Sequence, residues 1–219
     1  MLKADLHIHT RYSKDCSTPL EKIIERCKKL EISCIAIADH GTAEGALEMQ
    51  KLAPFKVIVA EECLTTEGEI MGMFLKETVP SGLTPAETVR RIHEQGALVN
   101  IPHPFEKLRG SSLKDEAVEL VAADIDLMEV LNARSPLPKN TNQARAFAGA
   151  HGLPGGAGSD AHTVMEIGNA YVEMAEFETP GEFLVSLRNG TIYGKRSSMF
   201  VKVFSTWAKV KNQFLTRRK

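Results

Sequence analysis

Histidine and acidic side chains recur directly after short apolar runs of this sequence. In the first run, Asp5, His7 and His9 alternate with Leu6 and Ile8, so a strand there would place the acid and both histidines on one face. Two imidazoles on one strand face can bind a single divalent ion. The ends of four further runs have similar residues: Asp39-His40, Glu61-Glu62, His103 and Asp160-Ala161-His162. Burying so many such groups without partners would be costly, so the pattern predicts a metal centre.

The donor types narrow the metal and its chemistry. Imidazole and carboxylate without thiolate suit Zn, Mn or Fe better than Ca. Carboxylates can bridge neighbouring ions, so we expect two or three divalent ions, although a hydrogen-bonded network without metal is the alternative. Neighbouring cations lower the pKa of a shared water, which favours hydrolysis. The sequence has no Gly-x-Ser-x-Gly and no glycine-rich phosphate loop, so neither a serine nucleophile nor a nucleotide cradle has support.

Strand and helix patterns alternate along most of the chain and would position these residues. The apolar runs predict strands at 3–7, 34–38, 56–60, 70–75, 97–101, 126–131 and 154–157. Amphipathic patterns predict helices at 18–30, 45–52, 84–95, 113–123, 141–151 and 179–188. Such repeated units predict parallel strands covered by helices, in an α/β barrel or a doubly wound sheet. In a barrel the strand ends converge on one face. His93 and His151 lie in helical patterns and are interpreted as structural.

Composition favours a globular, cytoplasmic protein. The chain has 219 residues, of which 43% are hydrophobic and 25% charged, and a net charge of −1, which excludes disorder and general nucleic-acid binding. It has no apolar stretch long enough to span a membrane, and we expect no secretory signal because its first residues lack the apolar core of one. The four cysteines form no Cys-x-x-Cys pair and are expected to be buried free thiols in a reducing compartment.

The C-terminal residues differ from the rest of the chain. We expect residues 1–195 to form one domain and 196–219 to form a basic tail, because 195–219 contain eight Lys and Arg and no acid. Its apolar residues have helical spacing. The tail could pack on the domain as a terminal helix or dock on a partner, an anionic surface or nucleic acid. The apolar residues are Phe200, Val203, Phe204, Trp207, Val210, Phe214 and Leu215.

Several of these segments together resemble the PHP family, named for polymerase and histidinol phosphatase. They are Asp-Leu-His-Ile-His-Thr at 5–10, Tyr-Ser-Lys-Asp at 12–15, Ala-Asp-His at 38–40, Glu62, Pro-His-Pro-Phe at 102–105 and Gly-Ser-Asp-Ala-His at 158–162. The resemblance covers about residues 3–194, and 159–194 are similar to the C-terminal element of stand-alone members. It implies an α/β fold, a distorted (β/α)7 TIM-like barrel. It also implies a centre of two or three metals at which phosphate esters are hydrolysed.

The resemblance also implies a set of metal ligands. His7, His9 and Asp160 would bind one metal, and Glu62, preferred over Glu61, would bridge it to a second metal that His103 also binds. Asp15, His40 and His162 would bind the third. Glu69 stands where many members have a histidine, so it is either a ligand or a surface acid. Asp5 and Asp39 are expected to orient imidazoles from behind, whereas Thr10 and Ser13 more simply cap a turn. The expected catalytic residues are His7, His9, His40, Asp160 and His162.

A phosphate substrate would need cations besides the metals. Arg109 and Arg134 follow the fifth and sixth predicted strands, at the expected catalytic end, and are the candidate substrate-binding residues. Lys107 and Arg11 are weaker candidates. Asn132 either faces the cluster or satisfies a core group.

Three functions are compatible with this pattern. The leading hypothesis is a metal-dependent phosphoesterase in which a metal-bound hydroxide attacks a small phosphomonoester, a nucleotide or an oligonucleotide end. The second is an amidohydrolase-type C–N hydrolase, which also begins with His-x-His on a barrel strand but commonly uses a bridging lysine, where this chain has Glu62. The third is a non-catalytic metal-binding scaffold.

Overall fold

The computed structural model describes residues 1–195, in which nine strands form one sheet with helices packed against it. The strands are β1 (Leu2–Ile8), β2 (Cys34–His40), β3 (Lys56–Thr65), β4 (Gly68–Met73), β5 (Leu98–Ile101), β6 (Leu127–Asn132), β7 (Gly155–Gly158), β8 (Ala170–Met174) and β9 (Thr191–Gly194). The helices are α1 (Leu20–Leu30), α2 (Glu44–Leu52), α3 (Pro85–Glu94), α4 (Asp115–Leu120), followed by a 3-10 turn at Ala122–Asp124, α5 (Pro138–Ala150) and α6 (Pro180–Arg188).

The sheet is a nearly closed, distorted barrel, which confirms the predicted fold class. Strands β1 to β7 are neighbours in sequence order, and β8 and β9 extend the sheet beyond β1. The carboxyl ends of β1 and β7 meet, because the backbone N–H of Asp160 donates to the carbonyl of His7 at 2.8 Å and that of His9 to the carbonyl of Ala161 at 3.0 Å. The strand ends that carry the histidines therefore surround one opening.

Two features of the sheet differ from the predicted parallel arrangement. β4 is antiparallel to both β3 and β5, because only two residues separate Thr65 from Gly68 and the chain turns back in a hairpin. β8 and β9 were not predicted; β8 pairs antiparallel with β1 and β9 with β8. β9 is an edge strand whose residues are mostly exposed, so it has no apolar run for a sequence pattern to detect.

Two apolar layers line the sheet. One cluster, which includes Ala36, Ala38 and Ile58, lies on the sheet face that also bears His40 and Glu62. The other, which includes Ile35 and Ile37, packs against the helices. All four cysteines are buried free thiols, as predicted. Within residues 1–195 no helix combines the length and the apolar character that crossing a membrane requires. The predicted tail helix lies outside the described residues.

Helix starts follow the predicted signals. Thr84 caps α3 by accepting the N–H of Glu87, with Pro85 as the first helical residue. Thr179 caps α6 in the same way, and Glu182 completes a reciprocal capping box. α5 begins at Pro138, three residues before the predicted start. Most of the other predicted helix ends fall within two residues of the observed ones.

Candidate metal centre

The strand ends bring all nine expected metal ligands into one contiguous cluster. Each side chain has a nitrogen or oxygen within 4.0 Å of another member. β1 to β4 supply four members (His7, His40, Glu62 and Glu69), and the loops after β1, β5 and β7 supply the other five. The members are His7, His9, His40, Glu62, Glu69, Asp15, His103, Asp160 and His162.

Glu62 lies at the middle of this cluster. Its Oε1 is 2.9 Å from Nε2 of His103 and 3.2 Å from Nε2 of His7. Its Oε2 is 3.1 Å from Nδ1 of His40 and 3.4 Å from Nε2 of His9. A single carboxylate thus faces four imidazoles, an arrangement suited to a ligand that bridges two ions.

Glu61 points away from the cluster because side chains alternate along β3. It accepts the backbone N–H of Val79 at 2.9 Å, and burial raises the pKa of its carboxyl to about 7. Of the two adjacent glutamates, only Glu62 faces the histidines.

Three groups within the cluster have ligand atoms that all lie within 4.8 Å of one another. They differ from the grouping that the resemblance implied, since His9 joins the set of Asp15, His40 and His162, and Glu69 joins Glu62 beside His40. His103 and Asp160 border these groups. The groups are His9, Asp15, His40 and His162; His7, His9 and Glu62; and His40, Glu62 and Glu69.

Buried polar atoms in the cluster fit bound cations. Oε2 of Glu62, Oε2 of Glu69 and Oδ1 of Asp160 receive no hydrogen bond although all three residues are buried. Oε2 of Glu62 and Oε1 of Glu69 lie 3.1 and 2.9 Å from Nδ1 of His40, and Oδ1 of Asp160 lies 3.4 Å from Nε2 of His9. None of these pairs is aligned as a hydrogen bond, which is expected of ligands that converge on a shared cation. Each unpaired buried group costs about 1–3 kcal/mol, which coordination to a divalent cation would offset. Imidazole with carboxylate suits Zn, Mn or Fe.

The pKa values of the clustered histidines are shifted in opposite directions. Burial, together with the nearby imidazoles of His162 and His40, lowers the pKa of His9 to about 3, so this ring is neutral and its lone pair is free to coordinate. Although burial opposes ionisation of Glu62, the imidazoles of His7 and His40 hold the pKa of its carboxyl well below its usual value. Burial opposes protonation of His7 and His40 as well, but the carboxylate of Glu62 raises the pKa of both rings, that of His40 to about 11, so a cation bound here would displace protons from these two imidazoles.

The prediction that Asp5 and Asp39 orient the imidazoles was wrong. The pairing of β1 with β2 shifts register between Asp5 and Ile8, so Asp5 does not share a face with His7. It accepts instead the backbone N–H groups of His7, Ser159 and Gly168. Asp39 accepts from the backbone and hydroxyl of Thr10 at 2.6 and 2.7 Å. Both acids therefore stabilise the backbone of loops and do not orient an imidazole ring.

Glu129, which was not among the residues predicted from the sequence, orients His7 instead. Its Oε1 lies 3.1 Å from Nδ1 of His7, while its Oε2 accepts the backbone N–H of His103 at 2.6 Å and the amide of Asn132 at 2.9 Å. Such a partner fixes which ring nitrogen faces the metal. The available signal was an acid inside the otherwise apolar strand Leu127–Asn132. Ser13 has a lesser role, with its hydroxyl 3.5 Å from Nδ1 of His9.

Backbone strain is concentrated at this site. His103, Phe105 and Asp160 have φ angles of 32°, 63° and 52°, which residues other than glycine rarely adopt. Such conformations persist where the surroundings enforce them and are common at functional sites. They turn the chain sharply after β5 and β7, where His103 and Asp160 enter the cluster.

Both candidate substrate-binding arginines lie at the edge of the cluster. Nη1 of Arg109 donates to Oδ2 of Asp160 at 2.5 Å. Nη1 of Arg134 lies 2.6 Å from Nδ1 of His162 and 4.0 Å from Oδ1 of Asp160. The amide of Asn132 also donates to Asp160, at 3.2 Å. Two guanidinium groups therefore flank one carboxylate of the cluster.

The weaker candidates lie elsewhere. Lys107 pairs with Asp115 at 2.9 Å, and Arg11 pairs with Glu48 at 3.6 Å, both at exposed positions. The two histidines interpreted as structural are also apart from the cluster. His93 pairs with Asp126 at 2.9 Å, and the ring of His151 stacks on a neighbouring phenylalanine.

Known structures share this fold at low sequence identity. A two-domain protein from Bacteroides vulgatus, described as containing a predicted PHP-like metal-dependent phosphoesterase, matches 89% of this chain and 65% of its own with a TM-score of 0.71 and 16% identity. PsfC from Pseudomonas syringae matches 98% of both chains with a TM-score of 0.69 and 17% identity. An amidohydrolase from Chromobacterium violaceum with bound sulfate matches 88% of this chain and 91% of its own with a TM-score of 0.61 and 14% identity.

Sequence comparisons identify the family. The PHP domain model matches residues 5–67, and the PHP-associated model matches residues 138–192. Uncharacterized protein MJ1587 of Methanocaldococcus jannaschii is 41% identical over 145 residues, which cover 60% of this chain and 82% of that protein. Uncharacterized protein MJ0417 of the same organism is 34% identical over 200 residues, which cover 85% and 79%. From these matches together, the chain belongs to the PHP family.

Proposed function

We propose that this protein is a metal-dependent phosphoesterase. The observation that carries the proposal is the placement of Arg109 and Arg134 on Asp160, at the edge of a cluster whose donor atoms fit divalent cations. Metals alone are compatible with many hydrolases. Guanidinium groups beside them supply paired N–H donors, which suit the oxygens of a phosphoryl group.

Each part of the site has a distinct role in this function. The nine clustered side chains would hold two or three divalent ions of Zn, Mn or Fe, with Glu62 between them. Such ions, when bound, act as Lewis acids and lower the pKa of water. Arg109 and Arg134 bind phosphate oxygens. Glu129 accepts a hydrogen bond from Nδ1 of His7, which keeps the proton on that nitrogen and leaves the lone pair on Nε2, beside Glu62.

The substrate class is a small phosphomonoester, a nucleotide or an oligonucleotide end. The loop after β5 bears Arg109 and borders an open cavity of about 290 Å³ lined by residues such as Phe105, Ser112 and Leu113. Its lining includes Arg109 but none of the nine clustered side chains, so this cavity could take a part of the substrate that extends away from the phosphate. The four buried free thiols favour a reducing compartment, in line with the cytoplasmic location expected from the sequence.

A substrate panel tests the proposal. The protein, stripped with a chelator and reloaded with Mn, Zn or Fe, is assayed on p-nitrophenyl phosphate, its bis-ester and a dihydropyrimidine amide. We expect metal-dependent hydrolysis of a phosphate ester that is lost in His9→Ala and Asp160→Ala and kept in His93→Ala, whose ring lies away from the cluster. Hydrolysis of the amide alone would instead support the amidohydrolase alternative, and bound metal without any hydrolysis the scaffold alternative.

A further inference from the structure

Two buried glutamates outside the metal centre contact the two arginines. Glu106 lies in the loop after β5 and Glu166 in the loop after β7, and only 3% and 1% of their surfaces are exposed. A buried carboxylate is costly unless its oxygens are paired. The partners of these two acids therefore indicate what they stabilise.

Glu166 joins the loop after β7 to Arg134. Its Oε2 accepts the backbone N–H groups of His162 and Thr163 at 3.1 and 3.0 Å and the hydroxyl of Thr163 at 3.0 Å. Its Oε1 lies 3.3 Å from Nε of Arg134, an ion pair whose two atoms are not aligned as a hydrogen bond. One oxygen is thus fixed by its own loop, and the other faces an arginine from the loop after β6.

Glu106 has the corresponding position beside Arg109. Its Oε2 accepts the hydroxyl of Ser135 at 2.6 Å and lies 3.8 Å from Nε of Arg109. Ser135 directly follows Arg134 in sequence. The two glutamates therefore link the loops after β5, β6 and β7, the three loops that bear the arginines and Asp160.

Both glutamates approach the Nε side of a guanidinium. Nη1 of Arg109 is thereby directed toward Oδ2 of Asp160, at 2.5 Å, whereas Nη1 of Arg134 lies between Nδ1 of His162, at 2.6 Å, and Oδ1 of Asp160, at 4.0 Å. The oxygens of a phosphoryl group could accept from the same two donors. A donor already held in its binding orientation loses little entropy when the ligand arrives.

We propose that Glu106 and Glu166 are positioning residues that hold Arg109 and Arg134 as a clamp for a phosphoryl group. The inference rests on the proposed function, because it concerns how the substrate of that site is recognised. Neither glutamate touches the phosphate. Each fixes the arginine that does.

Isosteric variants test this role. In Glu106→Gln and Glu166→Gln we expect KM for the phosphate ester and Kd for inorganic phosphate, measured by calorimetry, to rise roughly 10-fold as the clamp loses its orientation. We expect kcat within about threefold of the parent and an unchanged metal content by elemental analysis. Glu182→Gln is the matched control, since Glu182 also accepts backbone N–H groups, at the start of α6, and it should change none of these values.

A double-mutant cycle separates positioning from general support. If Glu166 acts through Arg134, then adding Glu166→Gln to Arg134→Lys raises Kd for phosphate no further. An equal rise in both backgrounds, or unchanged phosphate binding in both glutamine variants, would overturn the inference, as would loss of metal with the change at Glu166. Should Glu166→Gln fail to fold, Glu106→Gln with Arg109→Lys gives the same cycle.

The outcomes for the two proposals are distinguishable. Weakened phosphate binding in the variants of a protein that hydrolyses no phosphate ester would refute the proposed function but support the clamp. Hydrolysis by the parent with unaltered phosphate binding in both variants would refute the clamp alone.

Discussion

Gly158, the last residue of β7, lies directly against His7 of β1. A Cβ atom added to Gly158 would be 2.3 Å from Cβ of His7 and 2.8 Å from its backbone nitrogen. This close approach lets the N–H of Asp160 reach the carbonyl of His7 at 2.8 Å. The absence of a side chain at one position therefore brings the two strands together and places the histidines of β1 beside Asp160.

We expect Gly158→Ala to damage both the fold and the site. The added methyl group meets backbone as well as side chain, so the two strands must separate, and the free energy of unfolding in urea should fall by about 1–3 kcal/mol or more. Metal content should fall with it, because His7 and Asp160 move apart. Gly181→Ala is the control, since no atom lies within 4 Å of its added Cβ. Equal stability of the two variants would contradict this account of the interface between β1 and β7.

The sequence predicted that the candidate ligands lie together, because strand ends follow simple rules. His40, Glu62 and His103 each follow a buried run, and a barrel brings such ends together whatever the details of its sheet. The reversal of β4 did not disturb this, because Glu69 at its start lies beside Glu62 near the end of the antiparallel β3.

The acids that contact the loops, the candidate ligands and the arginines from outside the cluster could not be predicted in the same way. The role of Asp5 depends on a register shift within β1, which leaves no mark in the alternation of apolar and polar residues. Glu106 and Glu166, unlike Glu129, lie in loops and become recognisable only when their buried partners are known. A single acid in a loop has the same appearance in sequence whether it is solvated or buried.

The C-terminus of α1 offers a direct test of backbone strain. Glu31 ends this helix with φ and ψ of 56° and 32°, and its N–H donates to the carbonyls of Cys27 and Lys28. Glycine adopts this left-handed conformation without steric cost. Glu31→Gly should raise the free energy of unfolding by up to ~1 kcal/mol, measured by chemical denaturation.

The same substitution inside this helix should act in the opposite direction. Glu25 is exposed and lies in the middle of α1, where glycine costs about 1 kcal/mol relative to good helix formers. Glu25→Gly should therefore be destabilising. A loss of stability of similar size in both variants would show that Glu31 is not strained.

The buried thiols should be unreactive in the folded protein. Burial raises the pKa of Cys27 and Cys34 to about 12, so at pH 8 only about 1 in 10,000 of either thiol is the reactive thiolate. We expect no rapid reaction with Ellman's reagent at pH 8, and four thiols to react once the chain is unfolded in guanidinium. Lys28→Cys places a thiol at the exposed neighbour of Cys27 and should react at once. Rapid modification of the parent protein would show that these thiols are accessible.

Glu69 should determine how many metal ions the centre holds. Its Oε1 lies 2.9 Å from Nδ1 of His40, and its buried Oε2 receives no hydrogen bond, so both oxygens face the group formed with Glu62. Glu69→Gln keeps the size of the side chain and removes its charge, which should weaken metal binding in this group at least ~10-fold. Elemental analysis after dialysis should then show fewer ions per chain, because the group of His9, Asp15, His40 and His162 does not include Glu69, shares only His40 with its group and should keep its metal. Glu67→Gln, two residues away in a surface pair with Lys114, should retain the full content. The same number of ions in both variants would mean that Glu69 is only a structural acid at the start of β4.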